Sequence, residues 1–219
     1  NTNVQFAVSV LAGFMQNWSM VHYRAAIRVI TYLHQRSHLC LHYSRSAEIT
    51  LKSLSDAEFA SQHPDCRSVS GFLIYLGTSL ISWASRKQTL VALSTAAAEY
   101  YALSVAVQEV AYLRVLMEFL GHPSDGPTTM YVDSTSAKAI AERLSETKKQ
   151  KSIDVRYHYT QSFVERGQIE IAYIPTDVMT SDALTKPLSR ELFEKHRRSM
   201  LGMFLFVLTN ALLYASKGC

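Results

Sequence analysis

The stretch Gly71-Phe72-Leu73-Ile74-Tyr75-Leu76-Gly77-Thr78-Ser79-Leu80-Ile81-Ser82-Trp83-Ala84-Ser85 reads as two short strands, Gly71 to Leu76 and Leu80 to Ser85, joined at Gly77-Thr78-Ser79. Aromatic and β-branched residues fill both runs, and small turn formers separate them, so an antiparallel hairpin is predicted. Upstream, Ile49 to Ala60 supplies a third strand and completes a meander. Downstream, Ser94 or Thr95 offers an N-cap to a long helix from about Ala96 to Leu120, which Gly121 and Pro123 end. Thr129 to Val132 is then a short strand running into the helix-capping residues Asp133-Ser134-Thr135-Ser136 and a helix from Ala137 to Leu144. A helix from Ile153 to Arg166, a strand from Ile169 to Ile174 and a helical stretch from Ser181 to Met200, interrupted at Pro187, complete the series. The order β-β-β-α-β-α-α-β-α argues for an α/β fold, a mixed sheet packed by helices. Ahead of it, helical spacing from Val4 to Phe14 and from His22 to His34 predicts a helix pair, followed by an extended Leu39 to Tyr43.

The 219 residues suffice for one main core with a helical appendage, and 48% hydrophobic content describes a globular chain. A formal charge of +4 permits a polyanionic partner without requiring one. Its distribution says more: basic residues bunch at Lys148-Lys149-Gln150-Lys151, at Arg156 and at Lys195-His196-Arg197-Arg198. Cys40, Cys66 and Cys219 form neither a C-x-x-C pair nor an even framework, so a reduced, intracellular setting is expected. The chain begins at Asn1 without a signal-peptide pattern and reads as a piece of something longer. Met200 to Ala215 is apolar but interrupted by Gly202, Thr209 and Asn210, which favours a packed tail over a membrane span. His34, His38 and His42 lie four apart, yet no acidic partner accompanies them and a solvated turn is the expected role.

Four carboxylates, Asp56, Glu99, Asp133 and Asp182, stand at the ends of apolar strands or helices far apart in sequence. Singly, each reads as a cap, a strand-end turn or a solvated charge. Gathered together they would repel, and a divalent cation relieves that repulsion. Nothing in the chain resembles a nucleophile elbow or a glycine-rich phosphate loop.

The surroundings of these acids carry a resemblance. Leu54-Ser55-Asp56-Ala57, Arg67 to Phe72, Ile81-Ser82-Trp83, Lys87-Gln88, Val91 to Ser94 and Ala98-Glu99-Tyr100 occur in the order found in the ribonuclease H domain of copia-type LTR retrotransposon Pol polyproteins. So do Tyr131-Val132-Asp133, Ile153 to His158, Tyr173 to Thr176 and Asp182 to Leu188, while Phe6-Ala7-Val8 and the helix from His22 to Leu33 resemble the polymerase end that precedes the domain. The resemblance divides the chain into the end of the reverse transcriptase or connection region (1–45), an RNase H-like domain (46–201) and an apolar tail (202–219). It implies a five-stranded mixed sheet packed by helices, and metal-dependent cleavage of the RNA strand of RNA–DNA hybrids during reverse transcription. Asp56 would bridge two Mg2+ ions, with Mn2+ as a substitute; Glu99 and Asp133 would hold the ion near the leaving group and Asp182 the ion that activates water. Hybrid phosphates would be met by Lys151, Arg156, His158, Lys186, Arg190, Lys195 and Arg197, and the RNA by Ser134 and Ser136. The implied partners are the hybrid and the reverse transcriptase part of the same polyprotein, in a cytoplasmic virus-like particle or the nucleus and away from membranes.

Departures from the pattern lie beside the acids. Ala97 replaces a usual Glu, Ser134-Thr135 replace Asn-Gln, Ser152 replaces a His, Met179 replaces a Gln, and Glu58-Phe59 replace Asp-Trp. A second class of function therefore stays open, a catalytically impaired remnant that binds nucleic acid or braces a polymerase. A related two-metal nuclease or integrase of similar fold is a third.

Overall fold

The computed structural model describes residues 2–43, 49–59, 66–135 and 151–202, with the side chains of 151–155 and 157 excepted. The expected helix from Ala137 to Leu144, Ser136, Lys148-Lys149 and the tail beyond Gly202 lie outside them.

The hairpin read from residues 71–85 forms, with both strands longer than expected: β2 spans Val69–Leu76 and β3 spans Ser79–Lys87. Strand β1, Leu51–Glu58, pairs antiparallel with β2, and this pairing sets Asp56 opposite Gly71. Strands β4 (Thr128–Val132) and β5 (Ile169–Tyr173) add in parallel, giving the order β3-β2-β1-β4-β5. A three-stranded meander extended on its first strand by two parallel strands is the RNase H-like sheet that the resemblance implies.

Alternation along the strands divides the core between two faces. On one, Phe72, Ile74, Met130, Val132 and Ile169 meet Leu103, Ala106, Val107 and Val110 of α3 (Thr95–Phe119). Leu103, Val107 and Val110 are fully buried, each worth roughly 1.5–3 kcal/mol relative to exposure. Helix α4 (Lys151–Glu165) adds Tyr159 and Phe163 to that side. On the other face Leu54, Leu73, Tyr75, Leu80 and Tyr131 pack with Met179, Leu184 and Met200. Ser94 caps α3 as its sequence predicts, its hydroxyl accepting the Ala97 N–H at 3.1 Å.

The stretch from Ser181 to Met200 departs from the expected helix. Thr180–Leu184 is a short 3-10 segment, and α5 begins only at Arg190, where Ser189 caps it. Pro187 explains the gap: it has no N–H for a helical ladder and disfavours helical geometry at Lys186. Asp182 therefore sits in a tight turn and not at the opening of the last helix. The segment Leu39–Tyr43 lies outside the sheet, and the His42 N–H donates to the Leu201 carbonyl at 2.9 Å.

Helices α1 (Gln5–Ala12) and α2 (Met20–Gln35) lean on the domain at few points. Ser9 donates to the Ser85 carbonyl at 3.0 Å, and Tyr32 meets the edge of Phe193. Helix α2 buries no residue and leaves Met20, Tyr23, Ile27 and Ile30 exposed at helical spacing. Among the described residues, no helix is long and apolar enough to cross a membrane.

Candidate metal centre

Three elements bring three carboxylates together. Asp56 comes from the sixth position of β1, two residues inside the strand end expected for it; Glu99 comes from the first turns of α3, and Asp133 directly follows β4. One oxygen from each lies within 4.8 Å of the others. The parallel pairing of β1 with β4 places Asp56 and Asp133 at the same sheet end, and α3 carries Glu99 across it.

Neutral donors hold these side chains. The Thr185 hydroxyl donates to Asp56 Oδ2, the Thr176 hydroxyl donates to Asp133 Oδ2 at 2.9 Å, and the Ala57 N–H donates to Glu99 Oε2 at 3.0 Å. Asp56 is 1% exposed and Glu99 6%, so both charges are removed from water. Asp182 approaches Asp56 from the 3-10 segment, 1% exposed, with Oδ2 2.9 Å from Lys186 Nζ and Oδ1 buried without a hydrogen-bond donor among the described residues. It stands outside the group of three but beside it, and the charges of Asp56 and Asp133 raise its proton affinity.

Burial, then the charges of Asp56 and Asp133, pushes the Glu99 carboxyl up to about 10. Burial and Asp56 push Asp182 up to about 7, and burial raises Asp56 against the opposing pull of Lys186 and Thr185. Such a cluster favours added positive charge. An all-oxygen set of carboxylates fits hard divalent ions, Mg2+ or Mn2+, better than soft metals. The buried, donorless Asp182 Oδ1 gives the same indication.

A pH dependence follows. These folded-state values are raised, so the metal-free protein holds protons that the unfolded chain releases near pH 4. Their stabilising contribution is complete below that point and is lost as pH rises through about 7 for Asp182 and on toward about 10 for Glu99. The metal-free thermal midpoint is expected to fall between pH 6.5 and 9.5, and saturating Mg2+ to reduce that fall by favouring the charged forms. His196, whose burial lowers it to about 4, opposes this trend only on the acid side of that window. A midpoint that rises with pH in EDTA contradicts the electrostatics.

The basic residues expected at phosphates do not converge in the same way. Lys186 reaches the carboxylates through Asp182. Arg156 lies 4.1 Å over the Tyr101 ring, Arg190 pairs with Glu194 at 3.3 Å, Lys195 donates to the Asp177 carbonyl at 2.7 Å and Arg197 to the Tyr32 hydroxyl at 3.3 Å. His158 is exposed, Ser134 is half-buried beside Asp133, and the Lys151 side chain lies outside the described residues. Among the described residues no second group of metal-ligating side chains forms, His34, His38 and His42 included.

Thr185, Thr176 and Gly71 were missed as site residues from sequence, although all three fall in the matching motifs. A Cβ on Gly71 would lie 2.7 Å from Thr185 Cγ2 and 2.8 Å from Leu184 Cβ, so the bare backbone lets the Asp182 turn close onto β2.

No protein-family model matches the chain. It is similar to the Retrovirus-related Pol polyprotein from transposon RE1 of Arabidopsis thaliana, 29% identical over 88% of this chain and 13% of that protein. It is similar also to the Retrovirus-related Pol polyprotein from transposon TNT 1-94 of Nicotiana tabacum, 32% identical over 88% of this chain and 14% of that protein. The chain thus spans about one seventh of these relatives. The solved structure of LC11-RNase H1, isolated from compost, covers 67% of this chain and 97% of its own at 14% identity and a TM-score of 0.46.

Proposed function

We propose, from the premise that this chain belongs to the copia-type retrotransposon Pol polyproteins as their ribonuclease H segment, that it hydrolyses the RNA strand of RNA–DNA hybrids in a divalent-metal-dependent reaction. The observation that carries the reading is the convergence of Asp56, Glu99 and Asp133 from β1, α3 and β4 onto one spot, with Asp182 beside Asp56. Bound there, Mg2+ would polarise the phosphoryl oxygens and make water a stronger nucleophile.

The chain's own part is to pre-set the ligands. Asp56 belongs to the group of three and also interacts with Asp182, so it would be the carboxylate shared between two ions. Glu99 and Asp133 would complete the first ion's shell and Asp182 the second's. Thr185, Thr176 and the Ala57 N–H fix three of these carboxylates before any ion arrives, which removes reorganisation from the reaction. Arg156, His158 and Lys151 on α4 and Arg190, Lys195 and Arg197 on α5 are the proposed phosphate contacts, which position a hybrid without reading its sequence. Ser134 is proposed to meet an RNA 2′-hydroxyl.

The proposed partner of the exposed α2 stripe is the reverse transcriptase part of the same polyprotein. An apolar face of this kind on a helix that buries nothing in the domain supports it.

The reading is tested with a hybrid labelled separately on each strand, beside single-stranded RNA and duplex DNA. Mg2+-dependent loss of the RNA label from the hybrid alone is expected. Equal cutting of single-stranded RNA favours a general nuclease, and cutting in EDTA removes the metal from the scheme.

A further inference from the structure

We propose that the Lys186 ammonium is an internal counter-ion that competes with a divalent cation for the Asp182 side of the acidic cluster, so that the site takes its two ions with unequal affinity. The inference rests on the metal-dependent reading above.

The cluster has two halves that share Asp56. On one, the donors that hold Asp56, Glu99 and Asp133 are two threonine hydroxyls and a backbone N–H, none of which carries a charge. On the other, Lys186 Nζ lies 2.9 Å from Asp182 Oδ2, at a carboxylate whose side chain is only 2% exposed. Because the carboxylate is shut off from water, the attraction is screened less than in a surface ion pair. A cation therefore already occupies the ligand that a second ion requires.

The lysine is held in a way that lets it leave. Its backbone N–H bonds the Asp182 carbonyl at 3.1 Å and Pro187 follows, so the main chain is anchored. The side chain is 28% exposed and has a flexible four-carbon stem. Displaced by an ion, the ammonium would swing outward without disturbing the turn that carries Asp182. Among the described residues no ammonium contacts Asp56, Glu99 or Asp133 directly, and Lys186 acts on Asp56 and Glu99 only through space, so the ion at these three carboxylates displaces no contacting cation and would bind first.

Mn2+ binding to the full chain, followed by the resonance of the free ion and by calorimetry, tests this. The wild type should show a tight and a weak class. Lys186→Met, which keeps the apolar stem and deletes the charge, should tighten the weak class by roughly tenfold or more and the tight class much less. Lys186→Gln should act the same way, while Lys186→Arg keeps the gap. An unchanged weak class, or an equal shift of both classes, in the two neutral variants overturns the inference. Glu99→Gln separates it from the reading beneath: selective loss of the tight class supports the metal site whatever Lys186 does. Titration of that variant as wild type overturns both.

Discussion

Asp56→Asn is expected to lower hybrid cleavage by about a thousandfold or more while leaving the fold intact. The size follows from what the carboxylate touches. Metal-ion stabilisation of a phosphoryl transition state is worth several kcal/mol, and each ~1.4 kcal/mol is a factor of ten. Asp56 lies where both halves of the acidic cluster meet, so its loss weakens two ion positions together. The amide is nearly isosteric and still accepts the Thr185 hydroxyl, so the strand and the turn remain in place. Removing one of several buried like charges should also leave the metal-free protein at least as stable as the wild type at pH 8. Cleavage rates and circular dichroism melts of the two proteins check both halves of the expectation. Equal traces of activity in both proteins would instead favour the impaired, nucleic-acid-binding module.

The second large effect lies away from the acids. Gly71→Ala should destabilise the protein by about 1–3 kcal/mol, the usual cost of overpacking a filled interior. The added methyl would stand 2.7 Å from Thr185 Cγ2, 2.8 Å from Leu184 Cβ and 3.2 Å from the Ser181 carbonyl. The neighbours on two sides belong to the turn that presents Asp182, so relief requires the turn to shift. Thr185 would then withdraw from Asp56 and Asp182 would move with it. Displacements of this order in a reacting constellation cost about a hundredfold. The variant should therefore lose both stability and activity, although Gly71 has no functional group. Wild-type melting and wild-type turnover in Gly71→Ala would show that the close approach is not needed.

Much of the fold was legible because its signals are local. Alternation in Gly71 to Leu76, the Gly77 turn, the Ser94 cap and the Gly121 stop each act within a few residues, and the strands and α3 formed close to their expected limits. The last segment was harder to read. Helical spacing from Ser181 onward was genuine for α5, but Pro187 cut it, and the half that carries Asp182 became a 3-10 turn held by Thr185 and Lys186. Leu184 shows why: it packs with Leu54 and Leu73 on the sheet, a non-local contact that sequence spacing does not report.

The site divides in the same way. Asp56, Glu99 and Asp133 could be named from their motifs, and the sheet order explains why they meet. Thr176 lies 43 positions from Asp133 and Thr185 lies 129 from Asp56, so only the fold assigns them as the donors that hold those acids. The basic residues illustrate the reverse. Clustering along the chain singled out Lys195 and Arg197, yet the first donates to the Asp177 carbonyl and the second meets Tyr32 of α2. A count of charges does not reveal which of them are already engaged.

The central claim is that Asp56, Glu99 and Asp133 hold a divalent ion. Its most direct test is anomalous diffraction from crystals of the full chain grown with Mn2+. The expected result is a peak bounded by one oxygen from each of the three side chains, each at direct coordination distance. Absence of a peak at saturating Mn2+, or a peak elsewhere with those three carboxylates unligated, would contradict it.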